Sequence, residues 1–231
     1  MAKINEIVYD IREALKEYSD DSNLDDRYII FLYNVKRSKY IRQDLNDFGK
    51  SIDNSILQTF CEPLIEVSSD ECDPQLTCDT ILRTKNKIPK PIDLHIKPAI
   101  TTIKPVQKLG LPFNFTTKNR IPYLIGSKFS KGIYAFLDPD GYIYVTSKSD
   151  IFLLECITVT GIFTNPLDLE NYGTCCGCDD SNNTPCFNED DTEYPLPDRY
   201  IDLIRGEIIN ELAGLNNIKE DNTNDAEDTQ K

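Results

Sequence analysis

Apolar residues recur at helical spacing in the first eighteen residues of the chain, and acidic residues fill the positions between them. This pattern predicts an amphipathic helix. Its apolar face is predicted to comprise Ile4, Ile7, Val8, Ile11, Leu15 and Tyr18. A second helix is predicted to start at a capping box formed by Ser22 and Asp25 and to end near Asn46. Its apolar stripe is predicted to comprise Leu24, Tyr28, Phe31, Leu32 and Val35.

Beyond Gly49 the helical spacing gives way to short runs that are typical of strands. The clearest signal is "YAFLDPDGYIYVTS", in which Asp138-Pro139-Asp140-Gly141 suits a tight turn between two strands rich in aromatic and β-branched residues. Five prolines between residues 88 and 112 exclude a long helix there and favour extended or loop backbone. Residues 50–165 are therefore predicted to form a β-rich region.

The C-terminal part returns to helical spacing, with Pro197 and Asp198 as start signals for a helix over residues 198–215. Its apolar stripe is predicted to comprise Ile201, Ile204, Ile208, Leu212 and Leu215. Residues 166–197 are predicted to be a Cys-rich, acidic loop, and residues 216–231 a disordered acidic tail. The order of elements predicts an α+β fold. Its N-terminal helical pair, residues 1–49, is expected to pack with the C-terminal helix, and the β-rich region is an insertion between them.

The net charge of −14 is unevenly distributed along the chain. Residues 81–131 carry eleven basic groups and one acid, Asp93, whereas the rest of the chain is strongly acidic. Such a charge-split chain can bind copies of itself, basic part to acidic part. The basic segment could instead face nucleic acid, or be a solvated Lys-rich region. The overall acidity argues against general binding to exposed nucleic acid.

Four basic residues, Lys36, Arg37, Lys39 and Arg42, lie in the middle of the second predicted helix. Charged residues on a helix usually form a solvated face, which is the simplest interpretation. The alternative is a contact with an acidic neighbouring subunit, and we retain these four residues as candidate subunit contacts.

Four of the eight cysteines lie close together in "NYGTCCGCDDSNNTPCF". Cys175, Cys178 and Cys186 are candidate zinc ligands, because a C-x-x-C pair is a common half of a tetrahedral site. A second C-x-x-C pair is absent, and the single histidine, His95, is distant in sequence. We therefore expect a reduced, ligand-free loop and no cofactor, with zinc as the alternative. Since the N-terminus has no secretion signal, disulfides are not expected.

The sequence contains no phosphate-binding, dinucleotide-binding, zinc-protease or serine-hydrolase motif. A single histidine leaves few groups for acid–base catalysis near neutral pH. We therefore expect that the protein is not an enzyme. No apolar run approaches the length of a membrane span, so no membrane contact is expected.

Several segments, in order, resemble a known family. The opening "EIVYDIREALKEYSDDSNLDDRYIIFLYNVKRSKYIRQ" resembles the N-terminal helical pair of head-to-tail connector proteins of tailed phages. The later segments "LQTFCEPLIEVSSDEC", "CDTILRTKNKIPKPI", "GIFTNPLDLENY" and "CFNEDDTEYPLPDRYIDLIRGEIINEL" resemble successive blocks of ring proteins in the neck of crAss-like and related phages. The resemblance covers most of residues 4–215.

This resemblance implies a virion structural protein of the neck and tail region, made in the host cytoplasm. It implies a subunit of a twelve-fold homo-oligomeric ring under the portal, with the portal and other neck or tail proteins as partners. Such a connector bridges portal and tail, and DNA passes through it during ejection without sequence-specific contacts. The alternative function is a Cys-rich zinc-binding adaptor or regulatory module that contacts nucleic acid through residues 81–131.

Overall fold

The computed structural model describes residues 3–16, 25–46, 53–67, 81–95, 97–106, 110–128, 132–147, 151, 153–172 and 193–215. The candidate zinc ligands Cys175, Cys178 and Cys186 and the acidic tail lie outside these described residues, as do Tyr18, Ser22 and Leu24. The chain divides into two compact units. The helical unit comprises Met1–Ile56 and Glu189–Lys231, and the β unit comprises Leu57–Asn188.

Both helices and strands are well represented, so the α+β class is confirmed. The α-helices among the described residues are α1 (Ile4–Lys16), α2 (Asp26–Asn46), α3 (Ile121–Gly126) and α4 (Asp198–Leu215). The strands are β1 (Gln58–Glu66), β2 (Ile81–Thr84), β3 (Ile100–Pro105), β4 (Asn114–Phe115), β5 (Ile133–Leu137), β6 (Ile143–Ser147) and β7 (Cys156–Gly161). Short 3-10 helices span Asn54–Ile56, Lys118–Arg120 and Pro166–Asn171.

In the helical unit, α1 and α4 bury the faces that their sequence pattern predicts. The buried residues of α1 are Ile4, Ile7, Val8, Ile11 and Leu15. In α4 the buried apolar residues are Ile204, Ile208 and Leu212. Burial of each such side chain contributes roughly 1.5–3 kcal/mol, so these stripes hold the helices of this unit against one another. Each of α1, α2 and α4 contacts the other two.

The face of α2 that is buried differs from the predicted one. Tyr28, Phe31 and Val35 were expected in the core, but they are exposed. The buried positions are Ile29, Leu32, Tyr33, Asn34, Arg37, Ser38 and Ile41. Apolar residues lie on all sides of this helix, so spacing alone did not select a face. The buried stripe comprises Ile29, Tyr33, Arg37 and Ile41. It includes the charged residue Arg37, and a charged residue usually marks an exposed face.

The β unit is built on a seven-stranded sheet with the order β3-β7-β1-β2-β6-β5-β4. Neighbouring strands are antiparallel, except that β4 runs parallel to β5. The two edge strands approach each other, since the amide of Phe113, next to β4, donates to the carbonyl oxygen of Ile103 in β3 at 2.7 Å. The sheet therefore nearly closes into a barrel, which leaves little unpaired strand edge.

The predicted turn at residues 138–141 joins β5 and β6 as an antiparallel hairpin. The amide of Gly141 donates to the carbonyl oxygen of Asp138 at 3.0 Å. The amide of Asp138 donates to the carbonyl oxygen of Tyr142 at 3.1 Å. Gly141 has a φ of +91°, which side chains with a Cβ rarely adopt. The glycine is thus required by the geometry of this loop.

Two apolar clusters fill the β unit on opposite faces of its strands. The larger is centred on buried residues of the sheet and of the loops that follow it: Phe60, Leu82, Ile103, Ala135, Ile143, Val145, Ile157, Val159 and Phe163. The smaller brings Ile121 of α3 together with Tyr134 and Phe136 of β5. The alternation of side chains along β5 explains why one strand serves both clusters.

The cysteines in the strands have different states. Cys61 in β1 is free and buried, as expected for a small apolar side chain. Cys156 in β7 is disulfide-bonded. The expectation that the chain holds no disulfide is therefore wrong. It rested on compartment alone, whereas a disulfide also depends on which cysteines the fold brings together.

Candidate subunit-contact site on the helical unit

Arg37, one of the four candidate contact residues, is fully buried within its own chain. Its Nε–H donates to the carbonyl oxygen of Pro195 at 2.8 Å. Its guanidinium also lies 5.7 Å from the ring centre of Tyr194, a cation–π distance. Arg37 therefore fixes the segment before α4 against α2, and its side chain is enclosed by its own unit.

Polar and aromatic groups from both segments surround Arg37. The hydroxyl of Tyr194 donates to Oδ1 of Asn34, and the rings of Tyr33 and Tyr194 meet edge to face with centres 5.3 Å apart. Burial lowers the pKa of Arg37 and raises the pKa of both tyrosines well above their usual range. Both tyrosines thus stay neutral at any physiological pH, and Tyr194 keeps the proton that it donates to Asn34.

Lys36 and Lys39 form ion pairs with α4 of the same chain. Lys36 Nζ lies 2.6 Å from Glu211 and 3.5 Å from Glu207, and Lys39 lies 3.5 Å from Glu207. The hydroxyl of Tyr40 also donates to Glu207. The hydrogen bond from Tyr40 is the main cause of the lowered pKa of Glu207. The hydrogen bond from Lys36 to Glu211 is the main cause of the raised pKa of Lys36. This partly exposed network contributes modestly to stability.

Arg42, like Lys39, is an exposed candidate contact residue. The nearby ion pair joins Asp44 to Arg199 of α4 at 2.6 Å, and the Tyr200 hydroxyl donates to Asp44. The structure therefore places Arg37 inside the unit, Lys36 against α4, and Lys39 and Arg42 on the surface, where Lys39 also reaches Glu207. That these residues contact a second subunit stays a prediction.

The exposed side of α2 carries an apolar patch followed by two cations. We call Tyr28, Phe31, Val35, Lys39 and Arg42 the α2 outer face. Phe31 is 59% exposed, Val35 47% and Tyr28 42%. These positions are three or four residues apart, so they share one side of the helix, opposite the side that is buried. Large apolar groups grouped on a surface are a common mark of a protein contact.

A groove of about 630 Å³ runs between α1 and α4 in the same unit. We call it the α1–α4 groove, and it is lined by Asn5, Glu6, Ile7, Tyr9, Asp10, Ile201, Asp202 and Arg205. Its apolar residues lie between three carboxylates, one of which, Asp10, pairs with Arg205 at 3.5 Å. The lining thus combines an apolar floor with a net acidic rim.

The basic segment lies on the surface of the β unit. Its exposed cations among the described residues include Lys85, Lys87, Lys90, Lys97, Lys104, Arg120 and Lys128. Lys118 is less exposed and pairs with Asp138 at 3.1 Å beside the β5–β6 turn. A groove of about 500 Å³ near this pair also includes Lys97 and Arg120. The segment therefore presents most of its described cations on the surface of the β unit.

One buried carboxylate, Glu62 in β1, stands apart from these surfaces. It is 2% exposed and accepts a hydrogen bond from the amide of Asn86 at 2.7 Å. Burial raises its pKa to about 6. Such a carboxylate is a candidate for acid–base chemistry, but catalysis also requires a nucleophile or a partner acid positioned beside it. Its clearest role here is to satisfy the backbone after β2.

The residues described by the structure contain no group of three His, Cys, Asp or Glu side chains arranged to hold a metal ion. The candidate ligands Cys175, Cys178 and Cys186 lie outside that part of the chain, so a zinc site there stays a prediction. Within the described helices, none is both long and apolar enough to cross a membrane.

Sequence reasoning missed the partners of Arg37, namely Tyr194 and Pro195, and the hydrogen bond from Tyr194 to Asn34. Tyr194 and Pro195 follow α2 by about 160 residues along the chain, and no local pattern links the two segments. The available signal was the compact "EYPLP" just before α4, where one aromatic residue and two prolines interrupt an acidic stretch. Such a group of apolar residues in a polar loop indicates a segment that packs on the fold.

Comparison with known proteins gives matches over nearly the whole chain. The sequence matches the protein family described as Phage tail ring protein 2 over residues 6–230. It is 30% identical over 228 residues to the protein named "Ring protein 2" of Bacteroides phage crAss001, and this alignment covers 97% of the chain and 96% of that relative. Both matches extend across the helical and the β unit.

Proposed function

Because the chain belongs to the Phage tail ring protein 2 family, a family of structural phage proteins, we propose that it forms an oligomeric ring in the head-to-tail connector of a virion. The resemblance to phage neck and tail ring proteins seen in the sequence is confirmed. In the proposed role the ring bridges portal and tail and lines the channel through which DNA passes. The observation that carries this proposal is the family match over residues 6–230.

The two units support an assembly role. The helical unit, built from both termini, combines a buried network around Arg37 with an exposed apolar patch and a groove on its surface. The β unit, as an insertion, displays basic side chains that a second protein can bind. Rigid elements with unpartnered surfaces are what a ring subunit requires, and we propose that the protein has no enzymatic activity.

The net charge of −14 supports a specific property of the channel. DNA binds proteins chiefly through cations that neutralise its phosphates. An acidic channel wall would therefore let DNA pass without adhering, whereas the basic residues of the β unit would face other proteins. A ring structure whose channel is lined by the basic side chains of residues 81–131 would contradict this part of the proposal.

The proposal is tested by assembly. The purified chain, alone and mixed with the portal protein of the same phage, is measured by native mass spectrometry and electron microscopy. We expect a closed ring, alone or on the portal, and matching density in the neck of intact particles. A chain that stays monomeric in both samples, and density in the particle that does not fit the fold, would refute it.

A further inference from the structure

We propose that the α2 outer face of one copy docks into the α1–α4 groove of the next copy and forms the repeating contact of the ring. This inference rests on the proposed ring function and adds to it the two surfaces that meet. Both surfaces lie within the helical unit, so each is defined by contacts inside a single compact part of the chain.

The α2 outer face presents a continuous apolar patch. From Tyr28 to Val35 the exposed apolar side chains extend over about 10 Å of helix, since each residue advances the helix by about 1.5 Å. Phe31, at the middle of this patch, is the most exposed of the three. An aromatic side chain that projects from a rigid helix is the type of residue that most often anchors a protein interface.

The α1–α4 groove can hold an aromatic side chain. Its volume of about 630 Å³ is large enough for an aromatic side chain and its neighbours. Tyr9, on its wall, is 62% exposed, whereas Ile7 at its floor is 4% exposed. An apolar helix face that binds here would therefore cover the ring of Tyr9 and pack against the apolar floor at Ile7.

The charges of the two surfaces are complementary. On the α2 outer face, Arg42 and Lys39 continue the line of the apolar patch toward the C-terminal end of the helix, and Lys39 also lies 3.5 Å from Glu207 of its own chain. On the groove, Glu6, Asp10 and Asp202 outnumber Arg205. A cationic helix face and an acidic groove attract one another, and charged rims set the orientation of docking. The groove therefore suits a second copy of α2 better than it suits an acidic segment.

Docking of the α2 outer face into the α1–α4 groove is a head-to-tail contact. The two surfaces are different, and they belong to different helices: α2 provides one, and α1 with α4 provides the other. A contact between unlike surfaces leaves one copy with a free groove and the other with a free face, so it continues from subunit to subunit and closes into a ring when the rotation permits. A contact between like surfaces would instead stop at a dimer.

The test uses two exposed residues and a matched control in the full-length chain. Phe31→Ser alters the α2 outer face, Tyr9→Ser alters the groove, and Leu153→Ser alters a side chain of the β unit that is 91% exposed. We expect Phe31→Ser and Tyr9→Ser each to weaken self-association at least roughly tenfold, measured by analytical ultracentrifugation with and without the portal protein. Leu153→Ser should associate like the wild type.

Mixing the two variants gives the sharpest result. The intact face of Tyr9→Ser fits the intact groove of Phe31→Ser, so the mixture should form a one-to-one dimer and nothing larger. Rings that persist in Phe31→Ser, or a mixture that stays monomeric, would overturn this interface and leave the proposed ring function standing. A wild-type chain that stays monomeric with and without portal would overturn both.

Charge reversal provides an independent measurement if a serine variant does not fold. Arg42→Glu and Asp202→Lys should each weaken association, and the chain that carries both should recover it, because the attraction is restored with its signs exchanged. Equal association of the two single variants and the wild type, or no recovery in the double variant, would refute the contact.

Discussion

The Nε–H of Arg37 donates a 2.8 Å hydrogen bond to the carbonyl oxygen of Pro195, and Pro195 lies 158 residues after Arg37 in the chain. Arg37 is fully buried, and Tyr194 and Tyr33 pack beside it. This contact joins the N-terminal helical pair to the segment that begins the C-terminal helix. The helical unit is therefore held together by a polar group in its core as well as by apolar stripes.

Arg37→Ala is expected to destabilise the protein by roughly 2–4 kcal/mol. The substitution removes a large buried side chain, leaves a cavity and deprives the Pro195 carbonyl of its donor. Chemical denaturation followed by circular dichroism measures the change. Arg27→Ala, in the same helix but exposed and outside the α2 outer face, is the matched control and should change stability by less than about 0.5 kcal/mol. Equal effects of the two substitutions would contradict the structural role of Arg37.

Glu62→Gln is expected to change how stability depends on pH. Burial raises the pKa of Glu62 to about 6, from 4.5 in the unfolded chain. The folded state therefore holds this proton more tightly, and wild-type stability should fall as pH rises from about 4.5 to 6. Glutamine cannot ionise and still accepts from the Asn86 amide.

The free energies of unfolding of the two proteins should therefore diverge between pH 4.5 and 6. Above pH 6 the difference between the glutamine variant and the wild type should have shifted by about 2 kcal/mol in favour of the variant, relative to the difference at pH 4. Urea denaturation of both proteins at pH 4, 5, 6 and 7 measures this difference. A constant difference across the series would show that Glu62 has an ordinary pKa.

Gly161→Ala in β7 is expected to destabilise the β unit by roughly 1–3 kcal/mol. A Cβ at this position would lie 2.8 Å from the backbone carbonyl oxygen of Ala99, which cannot move without disturbing the chain beside β3. Thermal unfolding provides the measurement. Gly206→Ala in α4 is the control: a Cβ there meets nothing within 4 Å, and alanine favours helix, so stability should rise by about 0.5–1 kcal/mol.

The purified full-length protein is expected to carry no stoichiometric zinc, because Cys175, Cys178 and Cys186 provide three ligands and the sequence offers no obvious fourth. Elemental analysis after dialysis without chelator measures the metal content. Serine substitution of Cys178 should leave the metal content and ring assembly unchanged. One zinc per chain, lost in that variant, would favour the alternative function as a zinc-binding module.

Local sequence signals were sufficient where a single pattern dominated. The apolar stripe of α1 and the Asp-Pro-Asp-Gly turn between β5 and β6 were both predicted in place. In each case the residues that decide the structure lie within a few positions of one another. The candidate contact surface was not predictable in this way, since Tyr28, Phe31 and Val35 looked like core residues until the buried face of α2 was known.

The sequence by itself determined the α+β class, the positions of the main helices and of the β-rich region, and membership of a ring protein family. These follow from spacing and from ordered local motifs. Tertiary structure alone decided which face of α2 is buried and that Arg37 lies inside the unit. The physical reason is that burial of α2 depends on what α1, α4 and the segment around Tyr194 provide, and these partners come from the two ends of the chain.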